Sequence, residues 1–349
     1  MKDFYRGKKV LITGHTGFKG TWLTKILVNA GAEVCGYSRC SERNPSLFAL
    51  SGVEKDIRHV KGDVRDYQHL QEVVSAFRPE IVFHLAAQPI VRESYENPLY
   101  TYETNVMGTA NVLEAIRRTD SVKSAVIVTT DKVYRNDEQS RPFQEGEVLD
   151  GFDPYSNSKS CAELVTASYR RSFPGLPPIS TARAGNVIGG GDFAKDRIIP
   201  DCVRAVSKGE AIIVRNPHSV RPYQHVLEPL FAYLLIAQRQ AENPALAGSY
   251  NIGPEDSDCV TTGELVTLFC EKWGEGARWI DGSEKNAPHE AGLLRLDCSL
   301  MKKTFGWKPK WGIADAVEMV VKFEKARLSG GDMTAEMVRE IRFFLDEDD

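Results

Sequence analysis

Residues Lys9–Gly20 read KVLITGHTGFKG, a short apolar run that ends on Gly14, Gly17 and Gly20 and passes directly into a helical pattern. Glycines at that spacing permit a tight turn and close backbone approach, so the first amides of the next helix can face an anion. Strand, glycine-rich turn and helix at the start of a chain predict the opening unit of an α/β fold with a phosphate-binding loop. A glycine triplet alone is weak evidence. Its place between a strand and a helix favours a dinucleotide site over a structural turn.

The first half repeats this alternation. Strands are expected at KVLIT, EVCGY, IRHVKG, IVFHLA, AVIVT and ISTARA, with helices near Trp22–Ala30, Tyr67–Phe77, Pro98–Arg118 and Pro154–Arg171. Short unbroken apolar runs belong to strands buried on both faces, and right-handed crossovers between them give a Rossmann-type, doubly wound parallel sheet. Residues 1–175 are assigned to this dinucleotide-binding domain. Residues 176–349, beginning within the linker FPGLPP, are assigned mainly to a smaller mixed α/β substrate-binding domain, with some segments returning to the first. That part holds AIIVRN, SYNIG, a helical stretch near Ile199–Lys208 and a helix near Thr262–Trp273. In the tail, Ala335, Val338, Ile341 and Leu345 fall at helical spacing and predict a docked terminal helix.

At 349 residues and 42% apolar content the chain can bury a large core, and its net charge of -4 argues against nucleic acid as the main ligand. No run approaches the roughly 20 apolar residues that span a bilayer, and the N-terminal stretch lacks the apolar core of a signal peptide. A cytoplasmic protein is expected. The 7 cysteines (Cys35, Cys40, Cys161, Cys202, Cys259, Cys270 and Cys298) are odd in number and form no C-x-x-C pair. Buried free thiols are expected, and no metal site.

Two further stretches carry chemistry. AVIVTTDKVY runs from an apolar strand into Thr129, Thr130, Asp131 and Lys132, at the strand end where such sheets bind ligands. DPYSNSK places Tyr155 and Lys159 one helical turn apart. A cation beside a phenol lowers its pKa from ~10, and a phenolate can take a hydroxyl proton as hydride leaves for a nicotinamide. At the end of the second strand, where an acid usually binds ribose, stand Ser38 and Arg39. Arg39 either favours a 2′-phosphate, which keeps NADP open beside NAD, or is a solvated loop residue. Asp63 either accepts from an adenine amino group or caps a helix.

GHTGFKG, HLAAQ, Y-x-x-x-K and RAGNVIGGG, with TNVMGT, TTDKVY, RPYQHVLEPL, SYNIGP and FGWKPKW, together resemble the extended short-chain dehydrogenase/reductase family over nearly the whole chain. The likeness is greatest to its nucleotide-sugar 4,6-dehydratases, and among them to those acting on CDP-linked glucose in deoxysugar biosynthesis. The resemblance implies bound NAD, a CDP-sugar substrate and a homodimer or homotetramer built through the helices near Pro98–Arg118 and Pro154–Arg171. It implies a catalytic set of Thr130, Tyr155 and Lys159, with Lys159 also holding the nicotinamide ribose. Around the cofactor it places Gly14, His15, Gly17, Phe18, Lys19 and Gly20 of the first loop, then Ser38, Arg39, Asp63 and Val64. Leu85, Ala86, Ala87, Thr104 and Thr129 complete that set. It places Gln88, Asn186, Arg197, Ile198, Arg221 and Tyr223 against the substrate, Arg221 on its diphosphate. His15 and Lys19 depart from the smaller or apolar residues common in this loop; His15 either approaches the cofactor and alters its affinity or faces solvent.

Dehydration needs an acid for the leaving hydroxyl and a base for the neighbouring carbon acid, and Asp131 and Lys132 can span adjacent sugar carbons. Asp131 is the expected acid, provided burial keeps it protonated. Lys132 is a base if neutral and an enolate stabiliser if charged; many relatives carry Glu there. The competing readings are a surface Asp131–Lys132 ion pair, a nucleotide-sugar 4-epimerase, a dehydratase of a dTDP-, GDP- or UDP-sugar, and a non-catalytic dinucleotide sensor.

Overall fold

Seven parallel strands form the central sheet: β1 (Lys9–Thr13), β2 (Glu33–Ser38), β3 (Arg58–Lys61), β4 (Ile81–His84), β5 (Ser124–Val128), β6 (Ile179–Ala184) and β7 (Ser249–Ile252), in the order β7-β6-β5-β4-β1-β2-β3. The computed structural model describes residues 1–39, 45–137, 141–283 and 293–347; Cys40 lies outside them. The doubly wound α/β fold is thus the one expected. Alternation along β1 sorts its side chains: Val10 and Ile12 pack with Leu23, Ile26 and Leu230 on one face, while Leu11 packs with Val74, Leu113 and Ile116 on the other. Strand order reverses between β1 and β4, so a crevice opens at their carboxyl ends.

The second half departs from expectation in an informative way. SYNIG is expected in the smaller domain, yet Ser249–Ile252 extends the main sheet beside β6. Two long helices, Leu227–Glu242 and Ile313–Leu328, have no counterpart among the expected elements. The first lies against β5 and β6. A separate apolar cluster joins Ile199, Val203, Val214, Leu265, Phe269 and Val317, and the short pair Ile212–Val214 with Trp279–Asp281 flanks it. The expected helix over Pro98–Arg118 is interrupted by one π turn at Glu103–Met107, which carries Thr104. In the terminal helix Met333–Phe344 the buried face is Met333, Met337, Ile341 and Phe344, and Ala335 is exposed. The expected stripe is therefore rotated, with Ile341 shared by both.

Of the described cysteines, Cys35, Cys202 and Cys298 are buried free thiols, whereas Cys161, Cys259 and Cys270 are half-buried. No metal-binding cluster occurs among the described residues.

Two buried histidines impose a pH dependence on this fold. His84, at the end of β4, bonds to Thr13 Oγ1 at 2.7 Å and to Thr109 Oγ1 at 3.1 Å. Burial, then the Lys159 charge, lower its pKa to about 3; burial, then His59, lower that of His15 to about 3. Both rings stay neutral in the fold while the unfolded chain binds protons below about 6.5. Stability should therefore fall as pH drops from 6.5 toward 3. Thermal melts between pH 7 and 5 should show the loss, and His84→Gln should flatten the slope.

Candidate active site

A cavity of about 770 Å³ opens at the strand ends between the sheet and the second half, and it takes in the first glycine loop, the end of β5 and the start of the helix Pro154–Ser172. Gly14 has φ 77°, and a Cβ there would meet Ala86 N at 2.6 Å; one on Gly20 would meet Gly14 O at 2.1 Å. Glycine is thus required for the loops after β1 and β4 to touch and for the helix Phe18–Asn29 to pack on its own loop. Gly17 caps that helix and is exposed to the cavity, so its first amides are open to a ligand.

Gly14, Gly17, Phe18, Lys19, Gly20, Ser38, Arg39, Asp63, Val64, Leu85, Ala86, Ala87, Thr104 and Thr129 all line this cavity. Two expected residues do not. The ring of His15 is fully buried beneath the loop, where its Nε2 meets His59 Nδ1 at 2.7 Å and its edge packs on Phe48. Neither the cofactor-facing nor the solvent-facing expectation holds. Gln88 is likewise buried away from the cavity; it donates to Thr101 and Ile90 O, and its backbone amide donates to Asn105. Its role is to brace the loop after β4.

Around the adenosine end, Ser38 Oγ meets Thr16 Oγ1 at 2.8 Å, and the exposed Arg39 stacks on Tyr100 at 5.3 Å. Asp63 pairs with Arg65 at 2.8 Å. Asp66, not Asp63, caps the helix Tyr67–Phe77. Lys19 reaches inward and donates to Tyr233 Oη at 2.8 Å. Burial, then repulsion from Lys159 and Arg197, lower its pKa to about 7.

The catalytic candidates converge. Beyond β5, Thr130 caps a single turn formed by Asp131–Val133. Asp153 caps the helix Pro154–Ser172, with Pro154 preset for its first turn. That helix brings Tyr155 and Lys159 to the same strand end. All four of Thr130, Asp131, Tyr155 and Lys159 are buried and line the cavity, and half-buried Lys132 joins them. Asp131 Oδ1 accepts from Thr130 Oγ1 at 2.9 Å and Oδ2 accepts from Asn186 Nδ2 at 2.9 Å. At 1% exposure, Asp131 is a clamped interior carboxylate, and the surface ion pair is excluded.

Tyr155 and Lys159 share the buried end of this helix. Lys159 Nζ donates to Val128 O at 3.1 Å, and burial, opposed by Glu163, lowers its pKa to about 8. Burial pushes the Tyr155 phenol up to about 12; Thr130 and Arg197 pull it back while Asp131 pushes further. Arg197 is one cation that favours the phenolate.

Glu163 and Gly185 gave no sequence signal, and neither did the contact between Asn186 and Asp131. Glu163, one turn beyond Lys159, accepts from Thr129, Thr181 and Arg183 in a buried network that ties the helix to β5 and β6. Asn186 sits at φ 48°, a conformation asparagine tolerates, and so aims its amide at Asp131. A Cβ on Gly185 would lie 2.0 Å from the Asp131 carboxyl carbon. Gly185→Ala should therefore displace that carboxylate and lower turnover by about 10²-fold; unchanged steady-state rates would show that Asp131 is not needed where it stands.

On the second half's side, Asn186, Arg197, Ile198, Arg221 and Tyr223 line the cavity. Arg197 is held by Asp192 at 2.8 Å, and Tyr223 Oη meets Thr262 Oγ1 at 3.0 Å.

Residues 11–320 match the family model described as GDP-mannose 4,6 dehydratase. The chain is 45% identical to CDP-glucose 4,6-dehydratase of Salmonella typhimurium, over 99% of this chain and 98% of that one. Among solved structures it resembles the UDP-glucose 4-epimerase of Thermus thermophilus in complex with NAD (25% identity, TM-score 0.79, covering 91% and 99%). It also resembles the dTDP-glucose 4,6-dehydratase of Bacillus anthracis in complex with NAD (21% identity, TM-score 0.78, covering 93% and 99%), a likeness of fold.

Proposed function

We propose that this chain, which belongs to the GDP-mannose 4,6-dehydratase family, is an NAD-dependent hydro-lyase that converts CDP-D-glucose to CDP-4-keto-6-deoxy-D-glucose. The observation that carries this reading is the buried carboxylate of Asp131, clamped beside Thr130 and Tyr155 on one cleft wall. Epimerases share this fold and also oxidise carbon 4, but they have no hydroxyl to expel and no use for an acid there. A dinucleotide sensor needs neither.

The cleft suits NAD. The helix amides at Gly17 are open to it, and Thr104 Oγ1 is buried on its wall without a partner among the described residues. The loop Gly14–Gly20 would hold the pyrophosphate, Ser38, Arg39, Asp63 and Val64 the adenosine end, and Leu85, Ala86, Ala87, Thr104 and Lys159 the nicotinamide half. When bound, NAD supplies the hydride acceptor for sugar carbon 4 and the hydride returned to carbon 6.

Tyr155 takes the proton of the 4-hydroxyl, with Thr130 orienting that oxygen. The resulting 4-ketone acidifies carbon 5. A water molecule in the open cleft takes the carbon 5 proton and later returns one, while Lys132, on the cleft wall beside Asp131, stabilises the enolate. Asp131 donates a proton to the departing 6-hydroxyl. Arg221 and Arg197 neutralise the diphosphate, for which planar guanidinium forks are suited; Asn186, Ile198 and Tyr223 complete the substrate wall.

The CDP moiety rests on the 45% identity to the Salmonella typhimurium enzyme. With CDP-, dTDP-, UDP- and GDP-glucose compared at equal concentration, kcat/KM should favour the CDP sugar by about 10²-fold or more. Equal rates would contradict the assignment. A cytoplasmic homodimer completes the proposal: exposed Leu99, Met107 and Leu164 lie on adjoining helical segments, at 78%, 55% and 53% exposure.

A further inference from the structure

The cavity has more wall than the cofactor and the reacting hexose use. Its adenosine end lies at Ser38, Arg39 and Asp63 and its catalytic end at Thr130, Asp131 and Tyr155, so the nucleoside of the substrate is left the remaining wall, on the second half. Two elements make that wall. One is the helix Ile198–Val206, with Arg197 at its N-cap; the other is the strand Ile212–Val214, which packs against it. Ile212 and Val214 are buried in the apolar cluster between them, so strand alternation turns Ile213 and Arg215 the other way, and both line the cavity. Ile213 is 61% exposed, an aliphatic surface on which a flat base can lie.

Asp201 lines the cavity from the helix, one turn beyond Arg197, whose carbonyl accepts from the Asp201 amide at 3.0 Å. Its Oδ1 is taken by Arg204. Its Oδ2 accepts no hydrogen bond among the described residues and lies 3.8 Å from Arg215 Nη2. Asp196 accepts from Nη1 of the same guanidinium at 2.9 Å and so fixes the direction of the fork. A carboxylate oxygen and a guanidinium N–H therefore stand side by side, an acceptor next to a donor, one helical turn from an arginine assigned to the diphosphate.

We propose that Asp201 and Arg215 read the edge of the substrate's pyrimidine and select cytosine over uracil and thymine, Asp201 accepting from the exocyclic amino group and Arg215 donating to ring N3. This rests on the CDP-sugar reading above and names the residues that enforce it. Cytosine presents a donor at carbon 4 and an acceptor at N3, the complement of a carboxylate beside a guanidinium. Uracil and thymine present the reverse, a carbonyl oxygen at carbon 4 and an N–H at position 3. In the same register the carbonyl meets the carboxylate and the N–H meets the arginine. Both contacts become repulsive, and two charged groups lose water without gaining partners. Arg197 and Arg221 cannot make this distinction, because every nucleotide sugar offers them the same diphosphate; phosphate contacts position and base contacts specify.

The test is calorimetric titration of the NAD-loaded protein with CDP, UDP and the 5′-diphosphate of pyrimidin-2-one riboside, which is cytidine without its amino group. Wild type should bind CDP about 10 to 10²-fold more tightly than the pyrimidinone diphosphate, and Asp201→Ala should bind the two equally. Asp201→Asn, whose amide can accept or donate, should narrow the kcat/KM preference for CDP-glucose over UDP-glucose by about tenfold or more, with the change carried by KM. A merely structural role for Asp201 would weaken all ligands in proportion and leave both ratios at their wild-type values, which overturns the proposal. The pyrimidinone comparison in wild type decides the matter even where a variant fails to fold: a wild type that prefers CDP to UDP yet binds the amino-less analogue as tightly as CDP has no group that reads the amino. A wild type that binds CDP no better than UDP is a different result, which overturns the CDP assignment itself and the proposal with it.

Discussion

Tyr155→Phe should lower turnover by about 10³-fold, within the 10² to 10⁴ range that a positioned acid or base supplies, while leaving the fold intact. The phenol is the group placed to remove the 4-hydroxyl proton, and its ring is held by packing that phenylalanine can reproduce. The block falls on the first step, so reduced nicotinamide should fail to form in a rapid-mixing experiment. A pH signature separates this from a packing defect. Burial pushes the Tyr155 phenol up to about 12, so the fraction of phenolate grows as pH rises through the neutral range. Wild-type oxidation should therefore accelerate with pH, and the residual oxidation of the variant should not. Equal pH dependence in both proteins would show that another group takes the proton.

Asp131→Asn should fail later. The amide keeps the volume of the carboxylate and can still accept from Thr130, but it has no proton to give the leaving hydroxyl. Oxidation should proceed and elimination should slow by about 10² to 10⁴-fold. The variant should trap a CDP-4-keto-hexose that retains its 6-hydroxyl, alongside reduced cofactor. Mass spectrometry after borodeuteride reduction distinguishes this species, since label enters at carbon 4 of an intact hexose. An Asp131→Asn enzyme that makes 4-keto-6-deoxy product at near wild-type rate would remove Asp131 from the acid role.

Much of this site was legible from the sequence because its signals are local. The strands β1, β4 and β5 are short continuous apolar runs because both faces of the sheet are covered. The Tyr155–Lys159 spacing and the Gly14, Gly17, Gly20 turn are each contained within one helix or one loop. What stayed hidden depends on distant segments. Gly185 and Asn186 meet Asp131 only because β6 lies beside β5. Tyr233 meets Lys19 from a helix more than 200 residues away. The helix Leu227–Glu242 escaped notice because it is buried nearly all round, from Leu227 through Leu234. Without a solvent-facing side it has no strong amphipathic period to read.

The misplacement of His15 had a signal that could have been read. Gly36 interrupts β2, and glycine inside a strand often marks a close approach by another group. A Cβ at Gly36 would sit 2.3 Å from the His15 ring, so this glycine makes the space into which the histidine turns. The Lys159 arrangement could not have been anticipated from spacing. A position one turn from Tyr155 places the lysine on the same helix face, but the Val128 carbonyl, contributed by β5, decides where its ammonium points.

The central claim is that one active site oxidises carbon 4, expels water from carbons 5 and 6, and returns the same hydride to carbon 6. It is tested most directly with CDP-glucose carrying deuterium at carbon 4, turned over by the purified protein with NAD and examined by NMR. Deuterium in the methyl group at carbon 6 of CDP-4-keto-6-deoxyglucose is the predicted result. Deuterium back at carbon 4 with inverted configuration, or left at carbon 4 of unreacted CDP-glucose, would contradict it.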